Sequence, residues 1–213
     1  MRKLRQRSLH VIVVDDGSDD QTSSLAEAAG AHVIRLNRNG GLGQASRVGL
    51  GEALRLGFQI VATMDADGQH LTEELEPLVR SVAEGSDAAF GCRAHNLQLM
   101  PFWRRLLNAG TRIIIRVVAG RALRDPLCGF RAFSSRALRR LELRGNGHEL
   151  VPGVAINAVL LGMNLREIPV TCVYDPKPTH YRLSDFLRAL RLYAYFFVGR
   201  VLNRYHANPK LSE

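Results

Sequence analysis

The sequence predicts an α/β fold, a mainly parallel sheet flanked by helices and Rossmann-like in its N-terminal half. Three observations predict it. Short β-branched or apolar runs alternate with helical periods through about residue 90, the connections are short, and acidic pairs stand where two of the runs end. Strands that alternate with helices pair in parallel, and the ligands of such sheets gather at the carboxyl ends of the strands.

The elements justify this reading in order. His10 to Val14 is a β-branched run that ends in DDGSDDQT, where Gly17, Ser18 and Asp19 supply a turn and Gln21 to Ala29 reads as a helix closed by Gly30. His32 to Leu36 is a second strand, followed by the glycine-rich NRNGGLGQ and a helix over Gln44 to Leu56. A third strand, Gln59 to Met64, delivers Asp65 and Asp67, and a helix follows from Thr72 to about Glu84. The fourth strand covers Asp87 to Phe90. Beyond it lie a helix over Trp103 to Val118, the turn RDPLCGFRAF, and helices near Ser134 to Leu141 and Val154 to Leu161. A strand over Arg166 to Thr171 and a last helix from Leu183 to about Asn203 complete the chain.

A length of 213 residues with 46% hydrophobic content suits one sizeable core. We expect one unit over residues 1–182 and a C-terminal amphipathic helix and tail over 183–213. The formal charge of +9 is uneven: the first 107 residues hold 12 basic and 13 acidic side chains, the remainder 17 and 7. That asymmetry predicts a basic face built by the later segments, suited to nucleic acid, anionic lipid or a phosphorylated substrate. Cys92, Cys128 and Cys172 have wide, unpatterned spacing and read as buried thiols of a reducing compartment.

No apolar run approaches the roughly 18 residues that spanning requires, and the basic opening lacks a signal-peptide core. We therefore expect a cytoplasmic protein, peripheral at a membrane. In the last helix, LYAYFFVG is bracketed by Arg188 and Arg191 before it and Arg200 and Arg204 after it. Such a segment fits an interfacial helix, one covered by a membrane protein partner, or a core helix with snorkelling arginines.

Asp65 and Asp67, spaced D-x-D at a strand end, are hard oxygen ligands that can hold a divalent cation with a diphosphate completing the shell; they can equally cap the following helix. Asp15 and Asp16, with Gly17 and Ser18 behind them, stand at a neighbouring strand end, where a carboxylate can accept hydrogen bonds from a base or ribose. The loop NGGLGQA lacks the Gly-Lys-Ser/Thr ending of a P-loop and the spacing of a dinucleotide fingerprint.

VIVVDDGSDDQT, NRNGGLGQASRVGL, MDADGQH, DPLCGFRAF and LREIPV, taken in this order over roughly residues 9 to 182, resemble the family 2 glycosyltransferases. The likeness is specifically to the dolichyl- and polyprenyl-phosphate mannose or glucose synthase branch. The resemblance implies a GT-A type nucleotide-sugar transferase in which Asp15, Asp16, Gly17 and Ser18 serve the nucleotide. It implies that Asp65 and Asp67 hold Mg²⁺ or Mn²⁺ against the sugar diphosphate, with Asp67 catalytic. It places Arg131 near the donor phosphates and Arg182, in THYRLSD, towards the acceptor phosphate. The donor would be GDP-mannose or UDP-glucose, the acceptor a polyprenyl phosphate, and no nucleic acid would be bound.

Two departures accompany the likeness. Relatives carry a strand with a P-x-Y-N-E motif ahead of the V-D-D-G-S strand, whereas this chain starts directly at the latter, so an N-terminally shortened domain is expected. Relatives also place an acidic residue sixteen positions before the proline that matches Pro169; here that position is Gly153, with Glu149 four residues earlier. The other readings are a family 2 enzyme with a cell-surface glycan or small-molecule acceptor, and a truncated protein that binds nucleotide sugar without turnover.

Overall fold

The computed structural model describes residues 9–93, 100, 102–173 and 183–205. Among them, a two-stranded parallel sheet pairs β1 (Ile12–Asp15) with β2 (His32–Arg35), joined by α1 (Thr22–Ala28). Helix α2 (Leu42–Arg55) then leads to a four-stranded sheet of order β3-β5-β4-β6. Its strands are β3 (Ile60–Thr63), β4 (Ala88–Cys92), β5 (Arg131–Ser134) and β6 (Leu165–Pro169).

The alternating α/β plan holds, and the sheet is mixed. Strand β4 pairs parallel with β6, but β5 runs antiparallel between β3 and β4. Arg131, Ala132 and Phe133 are expected in a turn and Ser134 in a helix, because so short a run that enters a helix shows no alternation; the first three are buried, and RAFS is a central strand. The strand ends that carry Asp15 and Asp65 belong to separate sheets, so helices and loops, not a continuous ladder, must set their relative position.

Alternation along β4 sorts the two faces of the larger sheet. Ala88 and Phe90 join a core with α4 (Phe102–Ala119), α6 (Leu150–Leu160) and α7 (Leu183–Val201), while Ala89 faces the smaller cluster under α3 (Leu75–Ala83). A short 3-10 turn, Thr72–Glu74, precedes α3. Helix α5 (Ser135–Arg140) follows β5 at once, its first turn closed by Ser134 Oγ accepting from Ala137 N–H at 3.1 Å. Helix α6 is apolar all round and accordingly enclosed: Pro152 to Ala158 are all buried.

Helix α7 packs into the same core through Ala189, Leu192, Tyr193 and Phe196, so it belongs to the body of the domain instead of standing apart from it. Arg200 fastens it to α4 by donating to the carbonyls of Val117 at 2.9 Å and Val118 at 2.8 Å. Cys92, Cys128 and Cys172 are all free and buried. Among the described residues no helix is long and apolar enough to cross a membrane.

The two sheets meet where the start of α2 lies against the loop at residues 144–149. The N–H of Gly43 donates to Asn146 O at 2.8 Å, and Arg47 donates to Leu143 O at 3.1 Å. A Cβ on Gly43 would stand 2.1 Å from the carbonyl oxygen of Gly145, so the contact requires glycine. Gly51, in the same helix, has nothing within 4 Å of a built Cβ. Gly43→Ala is expected to lower stability by about 1–3 kcal/mol through overpacking, and Gly51→Ala to raise it by about 0.5–1 kcal/mol. Urea denaturation of the two variants checks the opposite signs.

Candidate active site

Four loops build the candidate site. At the end of β1, Asp15 is buried, with Oδ1 accepting from Ser18 N–H at 2.8 Å and Oδ2 accepting from the hydroxyl of Ser23. The parallel register sets Arg35 opposite, with Nε 3.9 Å from the carboxylate. The Ser23 hydroxyl first, then Ser18, hold the Asp15 carboxyl down at about 2, and Arg35 adds to the effect. Both oxygens of Asp15 thus serve the turn. Gly17 has φ of 78°, and Arg38 and Asn39 pack close against it.

Asp16 points the other way. Its two oxygens accept from the N–H groups of Gly40 and Gly41, each at 2.8 Å, and so gather the glycine-rich loop at the start of α2. The sequence puts Asp15, Asp16, Gly17 and Ser18 at the nucleotide, with Asp16 facing the nucleoside; in the structure Asp15 is a buried turn anchor and Asp16 a half-buried loop clamp.

Asp65 and Asp67 emerge beyond β3, both exposed to solvent. Asp67 Oδ1 accepts from Gln69 N–H at 3.0 Å. Asp65 rests against the backbone of Gly129, where an added Cβ would stand 2.8 Å from Oδ2. Although solvent reaches it, Asp65 lies in a hollow of the protein surface: the surrounding atoms raise its pKa, Asp67 raises it further, and His70, His148 and Arg131 oppose the shift. His70 is buried, its ring 5.0 Å from that of Phe130 and its Nδ1 without a hydrogen-bond partner.

Arg131 takes a different place from the expected one beside a phosphate. Only 3% of it is exposed, and its Nε, Nη1 and Nη2 donate to Cys128 O at 2.8 Å, Val151 O at 2.8 Å and Pro126 O at 2.7 Å. The guanidinium also lies 4.4 Å from the ring centroid of Phe90. Burial lowers its pKa to about 10, which leaves it charged near neutrality. A planar fork committed to three carbonyls holds the loop under Asp65 and the start of α6, and has no face left for a ligand. Arg182 lies outside the described residues.

The sequence reading overlooked several residues. Arg93, at the carboxyl end of β4, donates to Asp125 through Nε at 2.7 Å and Nη2 at 2.9 Å, and Asn108 donates to the same carboxylate at 3.2 Å. Burial would raise the pKa of Asp125, and the bonds from Arg93 outweigh it and leave it lowered. The position of Arg93 at a strand end was the available signal. His148 had none, being a single histidine in a glycine-rich loop.

A family model described as "Glycosyl transferase family 2" matches residues 2–142. The chain belongs to glycosyltransferase family 2. It is 31% identical over 175 residues to a polyprenol monophosphomannose synthase of Mycolicibacterium smegmatis, covering 76% of this chain and 66% of that protein. It is 30% identical over 188 residues to a UDP-N-acetylglucosamine–dolichyl-phosphate N-acetylglucosaminyltransferase of Methanococcus voltae, covering 78% and 75%. Among solved structures, the fold is shared with the glucosyl-3-phosphoglycerate synthase of Mycobacterium tuberculosis bound to UDP, at a TM-score of 0.59 and 22% identity over 89% of this chain and 68% of that one. The fold is therefore GT-A, and the chain is a glycosyltransferase.

Within this transferase, the position at which relatives carry an acidic residue is closed. Gly153 is buried under α7, and a Cβ there would stand 2.6 Å from Leu192 Cδ2. Glu149 does not replace it: Oε1 accepts from Asn146 and Gly147 N–H at 3.0 and 3.1 Å, and Oε2 lies 3.6 Å from Arg188 Nε. Glu149 is enclosed, and its Oε2 accepts no hydrogen bond among the described residues.

The Asp15 geometry sets an acid dependence. Its folded pKa of about 2 lies below the ordinary value of about 3.9. The stability it contributes is complete above about pH 5 and is lost as pH falls through the unfolded value towards about 2. The stability gap between the wild type and Asp15→Asn should stay level from neutral pH to about pH 5 and narrow below it. Urea melts across that range test this; a gap that does not change with pH would contradict the role.

Proposed function

We propose that this glycosyltransferase moves a hexose, mannose or glucose, from GDP-mannose or UDP-glucose to a polyprenyl phosphate at the cytoplasmic face of a membrane, with inversion at the anomeric carbon. The observation that carries the acceptor class is the outer surface of α4 and α7. Leu106, Ile113 and Val117 on α4 are 63–65% exposed, and Val198 and Val201 on α7 are 50% and 65% exposed, on the sides opposite the core. Two adjacent helices that turn apolar stripes outward, with arginines beside them, suit the headgroup region of a bilayer. A polyprenyl phosphate cannot leave the bilayer cheaply, since each CH₂ drawn into water costs about 0.8 kcal/mol. The named activities of the two relatives support the same acceptor.

The donor end fits a hard divalent cation. Asp65 and Asp67 present carboxylate oxygens to solvent, and the burial and, after it, the charge of Asp67 that raise the pKa of Asp65 are conditions a cation relieves. Among the described residues no group of three histidine, cysteine or carboxylate side chains forms a cage, so the diphosphate of the donor and water would complete the shell. Bound there, Mg²⁺ or Mn²⁺ neutralises the leaving diphosphate. Structures of the mycobacterial synthase that shares the fold contain Mn²⁺ or Mg²⁺ with UDP.

The protein side of the reaction is positioning. Asp16 clamps the glycine-rich loop beside the nucleoside, Gly129 lets Asp65 sit low, and Arg131 fixes the floor beneath them. We assign Arg182 to the acceptor phosphate on its motif. The acceptor phosphate is already anionic near neutral pH, so transfer needs no strong base, in keeping with the closed position at Gly153 and the enclosure of Glu149.

The test is a transfer assay with each donor, Mn²⁺ or Mg²⁺, and vesicles containing polyprenyl phosphate, run beside calorimetry. Asp67→Asn is expected to fold as the wild type, to lose metal-dependent donor binding and to lower transfer at least about a hundredfold, a loss of about 2.7 kcal/mol in transition-state stabilisation. Unchanged donor affinity in the presence of Mn²⁺ would remove the metal role. Transfer to a soluble glycan or small phosphorylated acceptor, and none to the vesicles, would remove the lipid acceptor.

A further inference from the structure

A cavity of about 300 Å³ opens between the 144–149 loop and α7, lined by Arg144, Glu149, Arg188, Arg191, Leu192 and Tyr195. Three guanidinium groups in one small hollow repel one another unless anions separate them. Two of them are partly answered within the protein. Arg144 Nε donates to Glu142 at 2.7 Å and its guanidinium stands 4.1 Å from the ring centroid of Tyr195. Arg188 bonds Asp185 and lies 3.6 Å from Glu149. Arg191 is exposed and has no ion pair among the described residues. Since a guanidinium carries five N–H donors, each partnered arginine keeps donors for a ligand as well.

The place of the cavity on α7 narrows the ligand. Ala189, Leu192, Tyr193 and Phe196 face the core, and Leu187, Leu190, Val198 and Val201 face outward. Arg188, Arg191 and Tyr195, at helical spacing, occupy the flank between these stripes. An amphiphile whose chain lies along the outward stripe has its head at the arginines, with Leu192 and Tyr195 against its first carbons. The opposite wall is the 144–149 loop, and the next residue of that loop, His148, acts electrostatically on Asp65. The cavity therefore shares a loop with a residue whose charge reaches Asp65.

We propose that this cavity is a seat for a lipid-borne phosphate, which holds the head of an anionic lipid at the border between the apolar face of α7 and the transfer site. The inference rests on the membrane-surface reading given above and assigns residues that reading does not use. A phosphate monoester on an isoprenoid and the headgroup of an anionic phospholipid share the chemistry that three arginines recognise. If the monoester is preferred, the seat loads the acceptor; if the phospholipid is preferred, it anchors the enzyme.

The experiment titrates the full chain with farnesyl phosphate, farnesol and a short-chain phosphatidylglycerol, each below its micellar concentration. Wild type, Arg191→Glu, Arg191→Gln and Arg139→Glu are compared, the last a charge-matched change at an exposed arginine on α5. Farnesyl phosphate or the phosphatidylglycerol should bind the wild type better than farnesol. Affinity should fall about tenfold or more in Arg191→Glu, by less in Arg191→Gln, and not at all in Arg139→Glu. Equal affinity of wild type and Arg191→Glu overturns the seat, and so does an equal fall in Arg139→Glu, which would be an effect of net charge alone. Nucleotide binding with Mn²⁺ is measured on the same samples and should be unchanged. Its absence from the wild type would count against the transferase reading, whereas the seat is judged by the Arg191 variants.

Discussion

The carboxylate of Glu149 holds the turn on which the two sheets meet. By accepting from Asn146 and Gly147 N–H, it sets the loop whose carbonyls receive Gly43 and Arg47 from α2. No strand pairing joins β1 to β3, so this contact does work that a continuous sheet would otherwise do. It fixes the glycine-rich loop clamped by Asp16, brings His148 to Asp65, and through Arg188 ties the loop to α7. The Asp16 clamp, the loop of Asp65 and helix α7 all lean on one short turn.

Beneath that junction lies a second constraint. Arg131 is charged and enclosed, a combination that is tolerable only because three backbone carbonyls and the face of Phe90 surround it. Two of those carbonyls, of Pro126 and Cys128, belong to the segment that passes under Asp65, and the third, of Val151, to the start of α6. The buried cation therefore steadies a carboxylate pair above it without touching a ligand, and Asp125 with Arg93 steadies the next segment in the same manner.

The sequence made much of this legible, for physical reasons that differ by element. The runs before Asp15 and Asp65 were readable because β-branched residues stop at turn formers, and α4 and α7 because apolar stripes are framed by arginines. Strand β5 was missed because four residues that enter a helix carry no alternation to read. The start of α6 was placed four residues late because Pro152 suggests a break; in fact its missing N–H falls in the first turn, where no helical acceptor is waiting. Asp15 and Asp16 could not be told apart in one dimension, since which of two adjacent carboxylates turns inward depends on Ser23 and on a glycine loop some 25 residues away. The role of Arg131 was equally hidden, because carbonyl acceptors have no sequence signature.

The central claim is that two carboxylates and a nucleoside diphosphate share one cation. Its most direct test is the affinity of the protein for Mn²⁺, read from the free-ion signal in electron paramagnetic resonance, with and without GDP or UDP. Two exposed carboxylates, with no third histidine, cysteine or carboxylate grouped with them among the described residues, should hold Mn²⁺ weakly alone, and the matching nucleotide should tighten it by at least about tenfold beyond its own affinity for the ion, with the reciprocal gain in nucleotide affinity that linkage requires. Mn²⁺ binding that is equally strong with and without either nucleotide would contradict the account.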